Sequence, residues 1–352
     1  MEESVFVKNK LNNDVSTVKE RIDWIDCTKG IAILLVILGH TVDLYGNIFE
    51  KILRAAIFSF HMPLFFICSG LTFKLSVNND QFVKKIEKSF KKLILIALFI
   101  FGLRTLIDII ASFQNIEWKE YLVEKINVLV YCSGVEVQIS DTIIPEFGMM
   151  WFLVVLFCAR SLFDYLHLKF KEKHLTIAIC ICTIIGVVLG KIQWLPLSLD
   201  ITFAVIAFLE MGNYFKKINI ANRNFLNCLL FFVIWVVSFS ASLFLTHSYM
   251  ELAARRYSLF PICYITAIAG TLFIMYFSNL ILKLGNIIKP LVYIGKNTIW
   301  LYCIHAMDYL YEIIWNRTNN NIANAAIRIL VDIIIFVMIK IMILMIDKIK
   351  NK

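Results

Sequence analysis

Residues Lys29 to His40 read KGIAILLVILGH, and this stretch decides the fold class. Between its two ends lie only aliphatic residues and glycine, which suit the hydrocarbon of a bilayer or a dry core. The same composition extends over the chain, of whose 352 residues 60% are hydrophobic and only 17% are charged. A soluble protein of this length could not cover so much apolar surface. The sequence therefore predicts an integral membrane protein.

Further apolar runs of similar length follow along the chain. A helix needs roughly 20 mainly apolar residues to cross a bilayer, and the runs lack the alternation typical of outer-membrane barrels. We therefore predict an all-α, polytopic membrane fold with about ten transmembrane helices. The predicted spans are residues 28–46, 52–75, 92–112, 149–167, 175–191, 197–215, 226–246, 258–281, 292–314 and 324–347.

These spans form a single predicted transmembrane domain at residues 28–347, between an N-terminal tail at 1–27 and a C-terminal tail at 348–352. The N-terminal residues lack the pattern of a cleaved signal peptide, so the first span is expected to remain in the mature chain. The longest connection is an acidic outer loop at 113–148. Its segment YLVEKINVLVYC is too short to cross and is expected to lie along the interface or to dip back. The loop either recognises a hydroxylated molecule or is a solvated cover.

Lysines and arginines give the chain a net charge of +9 and are concentrated in every second connection, as at 74–92 and 160–173. The positive-inside rule then places both termini in the cytoplasm and requires an even number of spans. This distribution explains the charge without a nucleic-acid partner. The nine cysteines lie mostly inside apolar runs and form no CxxC pair, so no metal site is expected.

An ionisable side chain at the bilayer centre costs about 2.5–3.5 kcal/mol on insertion scales, so such a side chain should face the bundle interior. His40 lies eleven residues beyond Lys29, which returns it to within about 20° of the same helix face and about 16 Å along the axis. Asp26 falls on this face as well, and Asp43 lies one turn beyond His40. A lone membrane histidine is more often structural, but its register with Lys29 favours a functional site.

Three other spans also carry polar residues. In SFHMPLFFICSGL, Pro63 should bend the second span beside His61, and Ser69 lies further along. The ninth span ends with His305, and Glu210 lies near the end of the sixth. Each of these residues either contacts a substrate or is structural, and the structural alternative for Glu210 is an ion pair with a lysine.

The order RxDWIDxxKGIAILLVILGH, FHMPLFFICSG, MWFLVVLF and GKNTIWLYCIH resembles the membrane-bound acyltransferase 3 family over nearly the whole chain. FHMPLFF is similar to the sugar O-acetyltransferase branch. The resemblance implies transfer of an acyl group, usually acetyl, from acyl-CoA to a hydroxyl of a cell-surface glycan or its lipid-linked precursor. It implies acetyl-CoA as donor substrate, no bound cofactor and a place in a bacterial cytoplasmic membrane. It also implies that His40 is the essential histidine and Lys29 its basic partner.

A second feature of the family is an RxxR pair before the third span. This sequence has Lys88 and Lys91 at that spacing, so the spacing is retained but the planar guanidinium is lost. A lysine still neutralises a phosphate as a point charge, without bidentate geometry. We expect Lys88, Lys91, Lys29 and Asp26 to bind or position acyl-CoA.

The mechanism expected on this basis uses His40 as a general base that takes the proton of an acceptor hydroxyl while the hydroxyl attacks the thioester. Alternatively, His40 attacks first and forms an acyl-imidazole. Asp43, His61, Ser69 or His305 could orient His40 or bind the developing oxyanion.

Two other classes of protein fit the composition. A proton-coupled secondary transporter would also place histidine and carboxylates in the membrane, but it predicts internal repeats that the sequence lacks. A membrane scaffold or sensor would carry no chemistry, and the ordered polar stripe of the first span argues only weakly against it. The oligomeric state is left open.

Overall fold

The described part of the chain, residues 22–42, 46–139, 142–218 and 225–350, is mostly helical in the computed structural model. Within these ranges eight helices are long and apolar enough to cross a membrane, and a ninth is added if the bent pair Pro196–Ala204 and Ile206–Lys217 is one span. The predicted all-α, multi-pass membrane class is confirmed, with eight or nine qualifying spans rather than about ten.

The helices follow one another with short connections. They are α1 (Asp23–Thr41), α2 (Ile48–Phe58), α3 (His61–Thr72), α4 (Asn79–Ser89), α5 (Leu95–Ser112), α6 (Trp118–Tyr131), α7 (Trp151–Lys169), α8 (Glu172–Ile192), α9 (Leu199–Ala204), α10 (Ile206–Lys217), α11 (Phe225–Thr246), α12 (Ile262–Ile281), α13 (Lys289–Lys296), α14 (Thr298–His305), α15 (Glu312–Trp315) and α16 (Asn321–Lys350). A π-helical turn, Phe90–Ile94, joins α4 to α5.

Helix α1 begins at Asp23, inside the segment predicted as a tail, and ends at Thr41. Carboxylates at Asp23 and Asp26 lie in its first turn, where the helix dipole favours negative charge. Helix α13 approaches α1 so closely that a Cβ at Gly295 would collide with the backbone carbonyl of Asp26. Only glycine permits this approach, which holds the Lys29 end of α1 in the centre of the bundle.

The second span is divided into α2 and α3 just before Pro63, as the sequence predicts. Proline lacks an N–H donor, and its ring clashes with the carbonyl four residues earlier, so the helix restarts at His61 with Pro63 in its first turn. The break places His61 at the N-terminus of α3, beside the end of α1.

The prediction of a continuous ninth span at 292–314 is wrong. The stretch is divided into α13, α14, a 3-10 turn at Asp308–Tyr311 and α15, none of which is long enough to cross alone. Such breaks are tolerated at membrane depth where the freed polar groups find partners inside the protein. Here Asp308 and Trp315 are buried. The indole of Trp315 donates to the backbone carbonyl oxygen of Asp308 at 3.2 Å, and the Asp308 carboxylate pairs with Arg328.

The predicted outer loop at 113–148 contains helix α6 and a hairpin of β1 (Val137–Ile139) with β2 (Thr142–Ile144). The strands are antiparallel, with Val137 opposite Ile144. Helix α6 exposes Trp118, Leu122 and Ile126. A short helix with an exposed apolar face is typical of a segment that lies along the membrane interface.

Candidate active site

One face of α1 borders two neighbouring cavities. Lys29, Ile33 and Val36 line a cavity of about 280 Å³, here called the lysine cavity. His40, one turn further along the same face, lines a second cavity of about 240 Å³, the histidine cavity. Lys29 and His40, which the sequence predicts to share one face of α1, therefore line neighbouring cavities.

The histidine cavity combines His40 with charged and aromatic side chains from loops and helix ends. His40 is exposed to the cavity although it belongs to a transmembrane helix. The other polar or aromatic lining residues used below are Arg54, His61, Glu146, Trp151 and Glu251. The guanidinium of Arg54 lies 4.0 Å from the Phe58 ring centroid, donates to the Tyr249 hydroxyl and lies 3.4 Å from Glu251 Oε1. The cavity thus holds a positive charge, on Arg54, and a negative charge, on Glu251, in addition to His40.

His40 packs between two rings. Its ring centroid lies 5.4 Å from that of Phe58 and 5.7 Å from that of His305. Phe58 in turn contacts His61 at 4.6 Å between centroids, and His61 Nδ1 lies 3.1 Å from the carbonyl oxygen of Ile57. Two of the predicted orienting residues, His61 and His305, are therefore near His40.

A buried ion-pair network supports His305 from behind. Nδ1 of His305 lies 2.6 Å from Asp308 Oδ2, and Arg328 donates to both oxygens of Asp308 at 2.6 and 2.7 Å. Arg328 also donates to the hydroxyl of Thr41 at 3.0 Å, which ties α16 to the end of α1. A histidine that donates from Nδ1 to a carboxylate is held in one tautomer and orientation. Nε2 of His305 is buried without a hydrogen-bond partner among the described residues.

His305, Asp308 and Asp332 place ligand atoms within 4.8 Å of one another, which is close enough for a metal ion. Asp308 is already held by the Arg328 fork, and Asp332 Oδ1 accepts a hydrogen bond of 2.7 Å from Tyr311. A metal ion would have to compete with the guanidinium for Asp308. The arrangement fits an ion-pair network better than a metal centre.

The lysine cavity has a basic end and an apolar wall. Its basic lining residues are Lys29, Lys92, Arg160 and Lys296. Lys29 Nζ pairs with Asp26 Oδ1 at 2.6 Å, so the predicted stripe begins with an ion pair. Ser69 also lines this cavity, and therefore does not lie beside His40.

A third cavity of about 300 Å³, here called the basic cavity, adjoins the lysine cavity. The two share Thr72, Lys92 and Arg160 as lining residues. The basic cavity adds Lys74, Lys85 and Lys88. Nε of Arg160 is buried and donates to no partner within the part of the chain that the structure describes. A half-buried guanidinium with an unused donor is well placed to bind an anion in either cavity.

The chain as a whole is similar to a known family of membrane proteins. A family model described as an acyltransferase domain matches residues 22–346. The chain belongs to the acyltransferase 3 family. A search of curated proteins finds no match to the chain. The protein is therefore a multi-pass membrane acyltransferase, and the cavities around α1 form its candidate active site.

Not all of the predicted site residues of the acyltransferase line these cavities. Glu210 pairs with His167 Nε2 at 2.8 Å rather than with a lysine, and it lines none of the three cavities described here. Lys88 lines the basic cavity, whereas the exposed Lys91 does not, and Lys92 lines it instead. Asp43 lies outside the described residues. Of the predicted residues, Lys29 and Ser69 border the lysine cavity, and His40 and His61 border the histidine cavity.

Several site residues of the acyltransferase escaped the sequence analysis. Arg160 and Arg328 are charges inside predicted spans, and this signal could have identified both residues. Arg54, Glu146 and Glu251 resemble ordinary loop charges, and only the folded chain brings them together. Burial raises the pKa of Glu146; nearby Arg104 lowers it, and Glu136 raises it further.

A buried arginine holds the loops that wall the histidine cavity. Arg255 donates to Asp200 Oδ2 at 2.8 Å, to Ser133 Oγ at 2.7 Å and to Ser198 Oγ at 2.9 Å. Its guanidinium also lies 3.9 Å from the Trp194 ring centroid. Because these partners come from two separate parts of the chain, Ser133 after α6 and the segment 194–200, Arg255 ties both to its own loop, and residues next to Ser133 and Arg255 line the histidine cavity.

Proposed function

We propose that this acyltransferase transfers an acyl group, most simply acetyl, from acyl-CoA to a hydroxyl of a cell-surface glycan or its lipid-linked precursor, with His40 as general base. The observation that carries the proposal is the face of α1 on which Lys29 lines a cavity with a basic end and His40 lines an adjoining polar cavity. The donor then approaches His40 from the Lys29 end of this face, and the acceptor approaches it within the histidine cavity.

The donor end fits a coenzyme A thioester. Phosphate groups need cations, and Lys88, Lys92 and Arg160 supply them at the basic cavity and its junction with the lysine cavity. The apolar wall formed by Ile33 and Val36 suits the pantetheine arm, and the distance of about 16 Å from Lys29 to His40 is comparable to the length of that arm. This end is expected to face the cytoplasm, where acyl-CoA is made and where basic segments remain.

The acceptor end fits a hydroxylated, ring-shaped substrate. Arg54, Glu146 and Glu251 offer charged hydrogen-bonding groups, and Trp151 offers an aromatic surface. A few fixed polar groups around an aromatic wall are typical of small-ligand sites that orient a substrate. Together they would hold a sugar with one hydroxyl directed at His40.

In the proposed reaction His40 accepts the proton of the acceptor hydroxyl as its oxygen attacks the thioester carbonyl. A new C–O ester bond forms, the C–S bond breaks, and the proton passes from His40 to the CoA thiolate. His305, held by Asp308 and Arg328, positions the imidazole of His40 from behind. In the alternative order, the imidazole is acylated first and the sugar hydroxyl then attacks the acyl-imidazole.

The test uses purified full-length protein in lipid nanodiscs with acetyl-CoA and a glycan extract. The proposal predicts release of CoA thiol together with new O-acetyl signals in the NMR spectrum of the glycan. A transporter would give neither, so absence of both would overturn the proposal. Isolation of an acylated His40 after quenching without acceptor would select the alternative order of steps.

A further inference from the structure

Met62 stands at the junction of the two cavities that α1 borders. It is the one residue that lines both the lysine cavity and the histidine cavity among the described residues. It is the second residue of α3 and only 9% exposed. A substrate group that passes from the basic end toward His40 must therefore pass its side chain.

A second contact links the two cavities. Tyr302 lines the lysine cavity, and its hydroxyl donates to the carbonyl oxygen of Met149, which lines the histidine cavity. Met62 thus lines both cavities, and this hydrogen-bonded pair joins a residue of one cavity to a residue of the other. Met62 has an unbranched, flexible side chain, whereas the side chain of Tyr302 is held by its hydrogen bond.

We propose that Met62 is the residue that selects the length of the donor acyl chain and keeps water from the thioester. This inference rests on the proposed function, because it takes the lysine cavity as the path of the donor. The acyl carbon must reach His40 across the junction, so the acyl chain lies against Met62. The site then accepts acetyl and rejects longer chains.

The chemistry of methionine suits this role. Its side chain is unbranched and polarisable, so it can turn aside for a two-carbon acyl group and return to close the gap. A longer chain would have to occupy the histidine cavity, whose volume of about 240 Å³ is also needed by the acceptor. One added methylene in such a pocket changes discrimination by about 10–200-fold.

Met62 also protects the donor thioester from hydrolysis. Were water to reach the thioester in place of the acceptor, its oxygen would bond to the acyl carbon, the C–S bond would break, and free acid and CoA thiol would leave. Enzymes exclude water from reactive intermediates by closing the site. We expect Met62 to do so on the side of the lysine cavity, whose lining includes the charged residues Lys92 and Arg160.

The test compares acetyl-CoA and butyryl-CoA in nanodiscs, with and without glycan acceptor, for the wild-type chain, Met62→Ala and Met62→Leu. Met275→Ala is the matched control, because Met275 is a buried methionine of α12 that lines none of the described cavities. CoA thiol release is the readout. Met62→Phe adds a larger side chain at the same position and keeps the test informative if Met62→Ala does not fold.

In Met62→Ala we expect the ratio of butyryl to acetyl transfer to rise about tenfold or more, and thiol release without acceptor to rise as well. Met62→Leu and Met275→Ala should keep the wild-type ratio, and Met62→Phe should lose acetyl transfer. An unchanged ratio in Met62→Ala, or full acetyl transfer by Met62→Phe, would overturn the inference while wild-type activity still supports the proposed function. No thiol release by the wild-type chain with acceptor would overturn the proposed function itself.

Discussion

The rings of His40 and His305 lie 5.7 Å apart between centroids, and the far side of His305 is fixed by a 2.6 Å contact with Asp308. His305 belongs to α14, Asp308 to the next turn, and Arg328 to α16, so three elements converge behind one imidazole. This gives His40 a rigid neighbour inside the bundle.

The first prediction concerns His305 as a positioning residue. In His305→Ala the ring behind His40 is lost, and we expect kcat to fall by about 10–100-fold, by analogy with the loss of outer-shell partners of metal-bound histidines. The KM for acetyl-CoA should stay near the wild-type value, because the proposed donor site is the lysine cavity, which His305 does not line. Steady-state kinetics check both values. A large rise in KM with kcat unchanged would contradict the positioning role.

The second prediction concerns the ion pair of Arg328 with Asp308. Arg328→Met leaves a buried carboxylate without its cation and should destabilise the fold by about 3–5 kcal/mol. Combining it with Asp308→Asn removes the uncompensated charge and should recover part of the loss. Thermal unfolding in detergent measures both variants. Additive losses in the double variant would mean that the two side chains do not act as a pair.

The third prediction concerns the anion site at Arg160. Arg160→Ala removes the guanidinium shared by the basic and lysine cavities, and charge-assisted hydrogen bonds contribute about 1.5–3 kcal/mol. We therefore expect the Kd for CoA to rise about tenfold or more. Lys91→Ala should have a smaller effect, because Lys91 does not line the cavity. Lys283→Ala, at an exposed lysine on the connection after α12, is the control. Calorimetry measures the Kd for CoA of all three variants. An equal loss of affinity in the three variants would refute a specific anion site at Arg160.

The fourth prediction concerns pH and Glu146. Burial raises the pKa of this carboxyl above that of an ordinary glutamate, with smaller opposing and reinforcing effects from Arg104 and Glu136. As pH falls, Glu146 therefore gains its proton earlier than an exposed glutamate, and loses an acceptor for sugar hydroxyls. We expect the KM for the glycan to rise toward acid pH. Glu146→Gln should remove that pH dependence, and an unaltered profile in this variant would contradict a role for the carboxylate.

The sequence predicts features that depend on one helix and its period. The membrane class follows from composition, and the common face of Lys29 and His40 follows from 3.6 residues per turn. The break before Pro63 follows from the missing N–H donor. Each of these features is local, so no knowledge of neighbouring helices is needed.

Features that depend on tertiary partners could not be predicted in the same way. The break in the ninth span is stabilised by Asp308, whose partner Arg328 comes from α16. Lys92 rather than Lys91 faces the basic cavity beside the π turn Phe90–Ile94, which widens the helix and shifts the side chains that follow. The roles of His40 and Lys29 in catalysis stay predictions, as does the glycan class of the acceptor.

The most direct measurement is transfer of isotope-labelled acetyl from acetyl-CoA to glycan by purified His40→Ala, beside the wild type and the control His174→Ala at an exposed histidine of α8. Loss of a general base lowers the rate by about 10²–10⁴-fold. The account predicts that His40→Ala inserts and binds CoA as the wild type does but transfers almost no label, while His174→Ala is fully active. Wild-type transfer by His40→Ala would contradict it.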